Sequence, residues 1–248
     1  MPDQRKSEYP EVSDQQEFWN AWNAKYREKK LGSVSERQSA VIIEWMRRLS
    51  AATSGQLDIF EVGCGTGWMC ERLAAFGRVT GTDLAAEVVE RAQARARHIR
   101  YLAGDFMTME LPQASADIAI GLEVLSHVPD QAAFLRRVFG LMRSGGYLML
   151  ATQNRFVLER SAGVAPRAPG QIRTWVNARE LRDLLEPDFS VLQLTSVVPH
   201  GYLGVLKWVN SPRLNKLVAK FAPQARIDAL KERFLLGHTL MVLARKNA

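Results

Sequence analysis

The chain has 248 residues, 47% of them hydrophobic and 24% charged, with a formal net charge of +7. That length suits one sizeable α/β domain with additions and is short for two full domains. No apolar run approaches the roughly 18 residues a membrane-spanning helix needs, and Met1 to Glu11 is polar, so a cytoplasmic location is expected. Only Cys64 and Cys70 are present, which disfavours a disulfide framework or a metal site and leaves both as small reduced residues.

In chain order, residues 1–14 read as a polar tail and 15–54 as N-terminal helices. Phe18, Trp19, Trp22 and Tyr26 form a one-sided aromatic stripe on the first helix, a pattern whose first reading is core packing. Ser33 or Ser35 is the expected cap of a second helix carrying Val41, Ile42, Trp45, Met46 and Leu49. Residues 55–248 then alternate apolar runs with helical periods, as a doubly wound α/β sheet requires. Strands are predicted at Leu57 to Val62, Arg78 to Thr82, Ile99 to Ala103, Ala116 to Leu122, Tyr147 to Thr152, Phe189 to Val198 and His238 to Ala244. Between them fall helices from Gly67, Ala85 to Arg97, Gln131 to Met142, and one capped by Asn177 with Glu180 at its third position.

The first strand ends in Glu61-Val62-Gly63-Cys64-Gly65-Thr66-Gly67 and opens a helix. Glycines there admit positive φ and close approach of a ligand to the main chain, and the helix end offers unpaired N–H groups. The G-x-G-x-G spacing departs from the G-x-G-x-x-G of dinucleotide sites. Asp83 ends the second strand, a position suited to a ribose diol. Gly104-Asp105-Phe106 follows the third strand, Leu122 to Val128 follows the fourth, and Arg143-Ser144-Gly145-Gly146-Tyr147 leads into the fifth.

These five elements, in this order over about residues 56–195, resemble class I S-adenosylmethionine-dependent methyltransferases, and Leu122 to His127 is most similar to the branch containing ubiquinone-biosynthesis O-methyltransferases. The resemblance implies a Rossmann-like seven-stranded sheet, the last strand antiparallel between the fifth and sixth, and S-adenosyl-L-methionine as cofactor. By the same resemblance Gly63, Cys64, Gly65, Thr66 and Gly67 pass under the methionine and ribose, and Asp83 accepts the ribose hydroxyls. Leu84 packs on the adenine, Asp105 accepts from its amino group, Phe106 adds apolar contact, and Leu122 joins this set from strand four. Glu61 is expected to orient the loop through backbone N–H groups. In similar enzymes the N-terminal helices fold over the cofactor, a second reading of the aromatic stripe.

His127 is the candidate base, since an imidazole titrates near neutrality and the residue follows strand four. The alternative, held at even weight, is a turn cap or a hydrogen-bonding spacer beneath the substrate. Glu123 is expected to hold backbone groups, and Asn154 to orient substrate or to serve as turn chemistry. His98 belongs to an arginine-rich solvated face, and His200 and His238 reach the pocket only if the segment between the last two strands folds back. The Asn/Asp-Pro-Pro-aromatic motif of nucleobase amino methyltransferases is replaced by Leu122-Glu123-Val124-Leu125, so nucleic acid is not the expected partner. No ligand cluster calls for a metal.

Two insertions remain. Residues 155–175 form a loop placed to close over a substrate. Residues 199–237 hold most of the basic excess, with seven Lys and Arg against two acids between Gly201 and Leu236. They read first as a helical subdomain, with a substrate lid and peripheral contact with anionic lipid as alternatives. The expected activity is methyl transfer to a small-molecule acceptor, at a hydroxyl oxygen. An N-methyltransferase and a cofactor-binding protein without turnover are the alternatives.

Overall fold

The computed structural model describes residues 9–26, 31–53, 55–211, 213, 216 and 223–247. Seven strands form one sheet in the order β3-β2-β1-β4-β5-β7-β6. They are β1 (Leu57–Val62), β2 (Gly77–Asp83), β3 (Arg100–Ala103), β4 (Ala116–Leu122), β5 (Met142–Gln153), β6 (Phe189–Pro199) and β7 (Gly237–Lys246). The first five run parallel, and β7 lies antiparallel between β5 and β6. Ile59, Ile118, Ile120 and Met149 face one apolar layer and Phe60, Ala119, Leu148 and Leu150 the other, as a sheet covered on both faces demands.

Among the described residues two helices precede the sheet, α1 (Val12–Tyr26) and α2 (Ser33–Ala51), and the others lie between strands: α3 (Trp68–Leu73), α4 (Ala86–Arg95), α5 (Gln131–Leu141), α6 (Arg155–Leu158), α7 (Ala178–Leu185), α8 (Val205–Val209) and α9 (Gln224–Arg233). α2 lays Ile42, Trp45 and Met46 on the sheet, and Trp45 Nε1 donates to Gln193 on β6 at 3.1 Å. Neither Ser33 nor Ser35 caps it. Gly32 holds the N-cap position without a side-chain bond, and Ser35 is buried, because the helix already starts at Ser33. Asn177 makes the full capping box with Glu180 at the start of α7.

β5 begins five residues before the apolar run that marks it, because the chain leaves α5 directly into pairing with Ala116 and absorbs Gly145, at φ +72°, in a register shift. After β5, the 155–175 segment folds back onto α1. A Cβ on Gly170 would meet the Asp14 carbonyl oxygen at 2.5 Å, so the left-handed φ of +74° and the close approach both require glycine there. Within the 199–237 segment, Asn210 donates to the carbonyls of His200 and Gly201 and accepts from Lys231, tying α8 to α9. Leu214, Leu217, Val218, Lys220 and Phe221 of this segment, part of its reading as a helical subdomain, lie outside the described residues.

Asn154 sits at the junction of β5 and β7. Its side-chain amide donates to Leu235 O at 2.9 Å and Gly237 O at 3.0 Å, and its N–H donates to His238 O. Asn154→Ala strips two carbonyls of their donor in a buried setting. A loss of about 2–4 kcal/mol in unfolding free energy is expected, measured by urea denaturation.

Candidate active site

The carboxyl ends of the parallel strands open onto a cavity of about 570 Å³. Its walls include Glu61, Asp83, Asp105 and Glu123 and, among the described residues, no lysine or arginine. In a chain of net charge +7 that segregation is specific. A pocket lined by carboxylates and lacking cations favours a cationic ligand and opposes phosphate.

The glycine turn is held from β2. Gly63 and Cys64 donate to Thr82 O at 2.8 and 2.9 Å, and Gly65 donates to Asp83 Oδ2 at 2.7 Å. Asp83 Oδ1 accepts from Ala85 N at 2.9 Å, so one carboxylate ties the turn after β1 to the turn after β2. Burial pushes the Asp83 carboxyl above its ordinary range against these backbone donors. Gly63, Cys64, Gly65 and Thr66 line the cavity. Gly67 does not: its φ is +75°, and a Cβ would stand 2.4 Å from the Tyr101 hydroxyl, so its glycine is required by packing behind the turn.

Glu61 is buried at 1% exposure and accepts from the Cys70 thiol at 2.9 Å. Its side-chain bond comes from Cys70 in α3, while the N–H groups of Gly63, Cys64 and Gly65 donate to Thr82 and Asp83. Desolvation raises its pKa to about 8. Both cysteines are free and buried, and Gly81 leaves them room, since a Cβ there would meet Cys70 Sγ at 2.8 Å.

Leu84, Asp105 and Leu122 stand on the cavity wall. Asp105 Oδ1 accepts from Met107 N at 2.9 Å, which fixes the carboxylate at the end of β3. Phe106 also lines the cavity but is buried. It lies in the core with ring centroids 6.3 Å from Phe60 and 5.5 Å from Phe134.

Opposite this wall, α1 lies over the cavity with Gln15, Trp19, Trp22 and Asn23. Asn23 Oδ1 would stand 3.2 Å from a Cβ on Gly65. The aromatic stripe therefore covers a cavity, where its first reading was core packing, while Tyr26 at its end is 54% exposed.

His127 closes a single 3-10 turn, Leu125–His127, after β4. Its Nδ1 lies 2.6 Å from Ile172 O in the 155–175 segment. A carbonyl only accepts, so Nδ1 carries the proton and Nε2 is left as an acceptor. The ring meets Trp19 edge-on at 4.7 Å, and burial lowers its pKa to about 4. Ser126, beside it, donates to Gln153 on the cavity wall.

His238 is the residue that sequence reasoning placed outside unless an insertion folded back. It lines the cavity because β7 runs antiparallel, which brings its first residues to the same edge as the last residues of β4 and β5. Burial lowers its pKa to about 4, with His200 behind it at 6.0 Å. Gln38, Gln153 and Gln171 also reach the cavity from α2, β5 and the 155–175 segment, with no local motif to announce them. Asn154 is committed to the β5–β7 junction, and His98 is exposed beside β3.

A methyltransferase-domain family model matches residues 60–150. A ubiquinone biosynthesis O-methyltransferase of Methylocella silvestris is 32% identical over 178 residues, covering 66% of this chain and 70% of that protein. A Mycolicibacterium smegmatis protein named for S-adenosylmethionine-dependent methyl transfer is 32% identical over 156 residues, and the match spans 62% of this chain and 60% of that relative. Among solved structures, the PH0226 protein of Pyrococcus horikoshii superposes with a TM-score of 0.63 at 11% identity, over 93% of this chain and 99% of that one. The fold is thus the Rossmann-like α/β sheet of methyltransferases, with its cavity at the strand ends. The chain belongs to the class I S-adenosylmethionine-dependent methyltransferases, and S-adenosyl-L-methionine is its cofactor.

The lowered histidine pKa values carry a sign. Below an ordinary imidazole pKa of 6.5 the unfolded chain takes up protons that folded His127 and His238 refuse down to about 4. They therefore destabilise the fold as pH falls from about 6.5 to about 4. Glu61 acts oppositely, losing stability as pH rises from 4.5 to about 8. The difference between wild type and His127→Gln isolates the histidine contribution. Melting temperatures from pH 7 to pH 5 should fall less steeply in the variant.

Proposed function

We propose that this enzyme methylates a hydroxyl oxygen of a small molecule, with His127 accepting the hydroxyl proton. The observation carrying this reading is the Nδ1–H bond of His127 to Ile172 O, which leaves Nε2 as a neutral acceptor on the cavity wall. Burial that keeps the ring uncharged also weakens it as a base, so it polarises the hydroxyl during transfer and does not ionise it beforehand. The ubiquinone-biosynthesis name of the Methylocella silvestris relative supports an oxygen acceptor, and the absence of lysine and arginine from the described cavity walls argues against an anionic one.

For the cofactor, the residues fit: a turn with three glycines at positive φ, two carboxylates at successive strand ends, and walls without cations. We assign Gly63, Cys64, Gly65 and Thr66 to the methionine and ribose, Asp83 to the ribose hydroxyls, Asp105 to the adenine amino group, and Leu84 and Leu122 to its faces. When bound, the cofactor supplies an electrophilic methyl group on a cationic sulfonium. Around it the chain holds the turn, aligns the acceptor at Nε2 of His127, and excludes water with Trp19 and Trp22 of α1.

Calorimetry with S-adenosylmethionine, followed by labelled-methyl transfer into a metabolite extract, tests both halves. Asp83→Ala should abolish cofactor binding. His127→Ala should retain binding and slow transfer by roughly 10² to 10⁴. An undiminished rate in His127→Ala would instead favour the N-methyltransferase reading, in which a neutral amine needs little base. Binding with no labelled product would favour a protein without turnover.

A second reading concerns the surface. Trp208 is 75% exposed beside exposed Lys207, and Leu203 and Val205 are also exposed, an amphipathic surface suited to the interface of an anionic bilayer. On that reading the protein should sediment with phosphatidylglycerol vesicles and not with phosphatidylcholine vesicles. Release by about 0.5 M salt, which shortens the Debye length to about 4 Å, should follow, and Trp208→Ser should weaken the association.

A further inference from the structure

The cavity holds a second imidazole whose hydrogen bonds the proposed reaction at His127 does not use. Its connections run away from the cavity in one direction. His238 Nδ1 lies 3.1 Å from Thr239 Oγ1, and Thr239 Oγ1 donates to Glu123 Oε1 at 2.7 Å. Gln38 Nε2 donates to the same carboxylate oxygen and approaches Thr239 Oγ1 at 3.5 Å. Thr239 has one hydroxyl proton, and the carboxylate oxygen takes it, so toward His238 the hydroxyl accepts. Nδ1 of His238 therefore carries the proton, and Nε2 carries the lone pair.

Three elements fix this chain of bonds. Gln38 comes from α2, Glu123 from the turn after β4, and His238 and Thr239 from β7. Thr239 is fully buried, Gln38 is 1% exposed, and Glu123 is held at φ +63°, a left-handed conformation that a glutamate keeps only where its surroundings over-determine it. Burial, and His200 with its ring 6.0 Å away, disfavour a charge on His238.

We propose that His238, oriented by Thr239 and Glu123, is a second hydrogen-bond acceptor for the substrate, and that the pocket selects molecules presenting two donors, one to each histidine. This rests on the acceptor-site reading of His127. Both imidazoles present a lone pair, His127 because Ile172 O takes its Nδ1 proton and His238 because Thr239 does. A substrate carrying an ether or carbonyl oxygen at either place would set lone pair against lone pair and leave a desolvated acceptor unpaired. The chemical class is a dihydroxylated, or amino and hydroxy substituted, small molecule. Its monomethylated product has lost the donor at one histidine, so it is bound less well and is not methylated again.

Two measurements test this. The first is nitrogen NMR of imidazole-labelled protein saturated with S-adenosylhomocysteine. Wild type should show His238 protonated at Nδ1 and unprotonated at Nε2 near neutrality, and Thr239→Val should disturb that tautomer. A His238 found protonated at Nε2 overturns the proposal. The second is labelled-methyl transfer to matched pairs of dihydroxybenzenes and their monomethyl ethers. Wild type should favour the dihydroxy member by about tenfold or more in kcat/KM. His238→Leu should erase that preference mainly by raising KM for the dihydroxy member, while His127→Ala lowers kcat. Equal use of both members, transfer to neither, or an equal fall in kcat for both in His238→Leu overturns the proposal. Retained calorimetric binding of S-adenosylmethionine and a retained kcat effect of His127→Ala would show that the proposed function survives that failure.

Discussion

One carboxylate joins the two turns on which the cavity is built. Asp83 ends β2, the neighbour of β1 in a parallel pair, so its side chain lies level with the glycine turn leaving β1. Its two oxygens accept from Gly65 N and Ala85 N, and burial strips it of competing water. A carboxylate so placed is a stronger acceptor for donors that remain within reach, because the energy of each bond rises as the dielectric falls. The left-handed residues at Gly63 and Gly65 are then a consequence: the chain must reverse within a few residues to bring Gly65 N to Asp83. Any ligand that lies on this turn meets a main chain already fixed.

Much of this frame was legible in the sequence because local patterns cause it. β1 and β4 have the expected bounds, since each is a mostly apolar run that stops at once, at Gly63 after β1 and at Glu123 after β4. The capping box at Asn177 and Glu180 likewise needs only residues three apart. What escaped depends on contacts between distant segments. Gly67 belongs to the glycine motif by spacing, yet its lack of a side chain answers to Tyr101 on β3. Glu61 was read as a partner of the turn, but a cysteine thiol two residues into the next helix takes it. The aromatic stripe of α1 looks the same in sequence whether it meets a core or a cavity. Only the position of the helix above Gly65 decides.

His238 shows the same limit most directly. A histidine at the start of a final strand has no motif around it, and its arrival at the cavity follows from one topological fact. β7 enters the sheet antiparallel, so its beginning lies where the neighbouring strands end. The resemblance that implied this strand order contained the answer, but the inference had to pass through the direction of the strand to reach the residue. Asn154 completes the geometry, since its amide carries the carbonyls on either side of the turn into β7 and so sets where His238 begins.

The distribution of charge then makes chemical sense. The chain is basic, and the 199–237 segment holds most of its excess of Lys and Arg over Asp and Glu, while among the described residues the cavity walls carry four acids and no lysine or arginine. A sulfonium loses its positive charge when it gives up a methyl group, so walls that offered strong fixed charge to the cofactor alone would hold the reactant more tightly than the product and work against transfer. Around His127 and His238, two imidazoles kept uncharged by burial, stand the amides of Gln153 and Gln171 and the Glu123 carboxylate, which Thr239 and Gln38 hold by hydrogen bonds. The carboxylates Asp83 and Asp105 stand instead at the ends of β2 and β3, across the sheet from β7. On the assignment proposed above, binding energy is taken from parts of the cofactor that do not change in the reaction, and the reacting end is left to alignment and to the direction of hydrogen bonds.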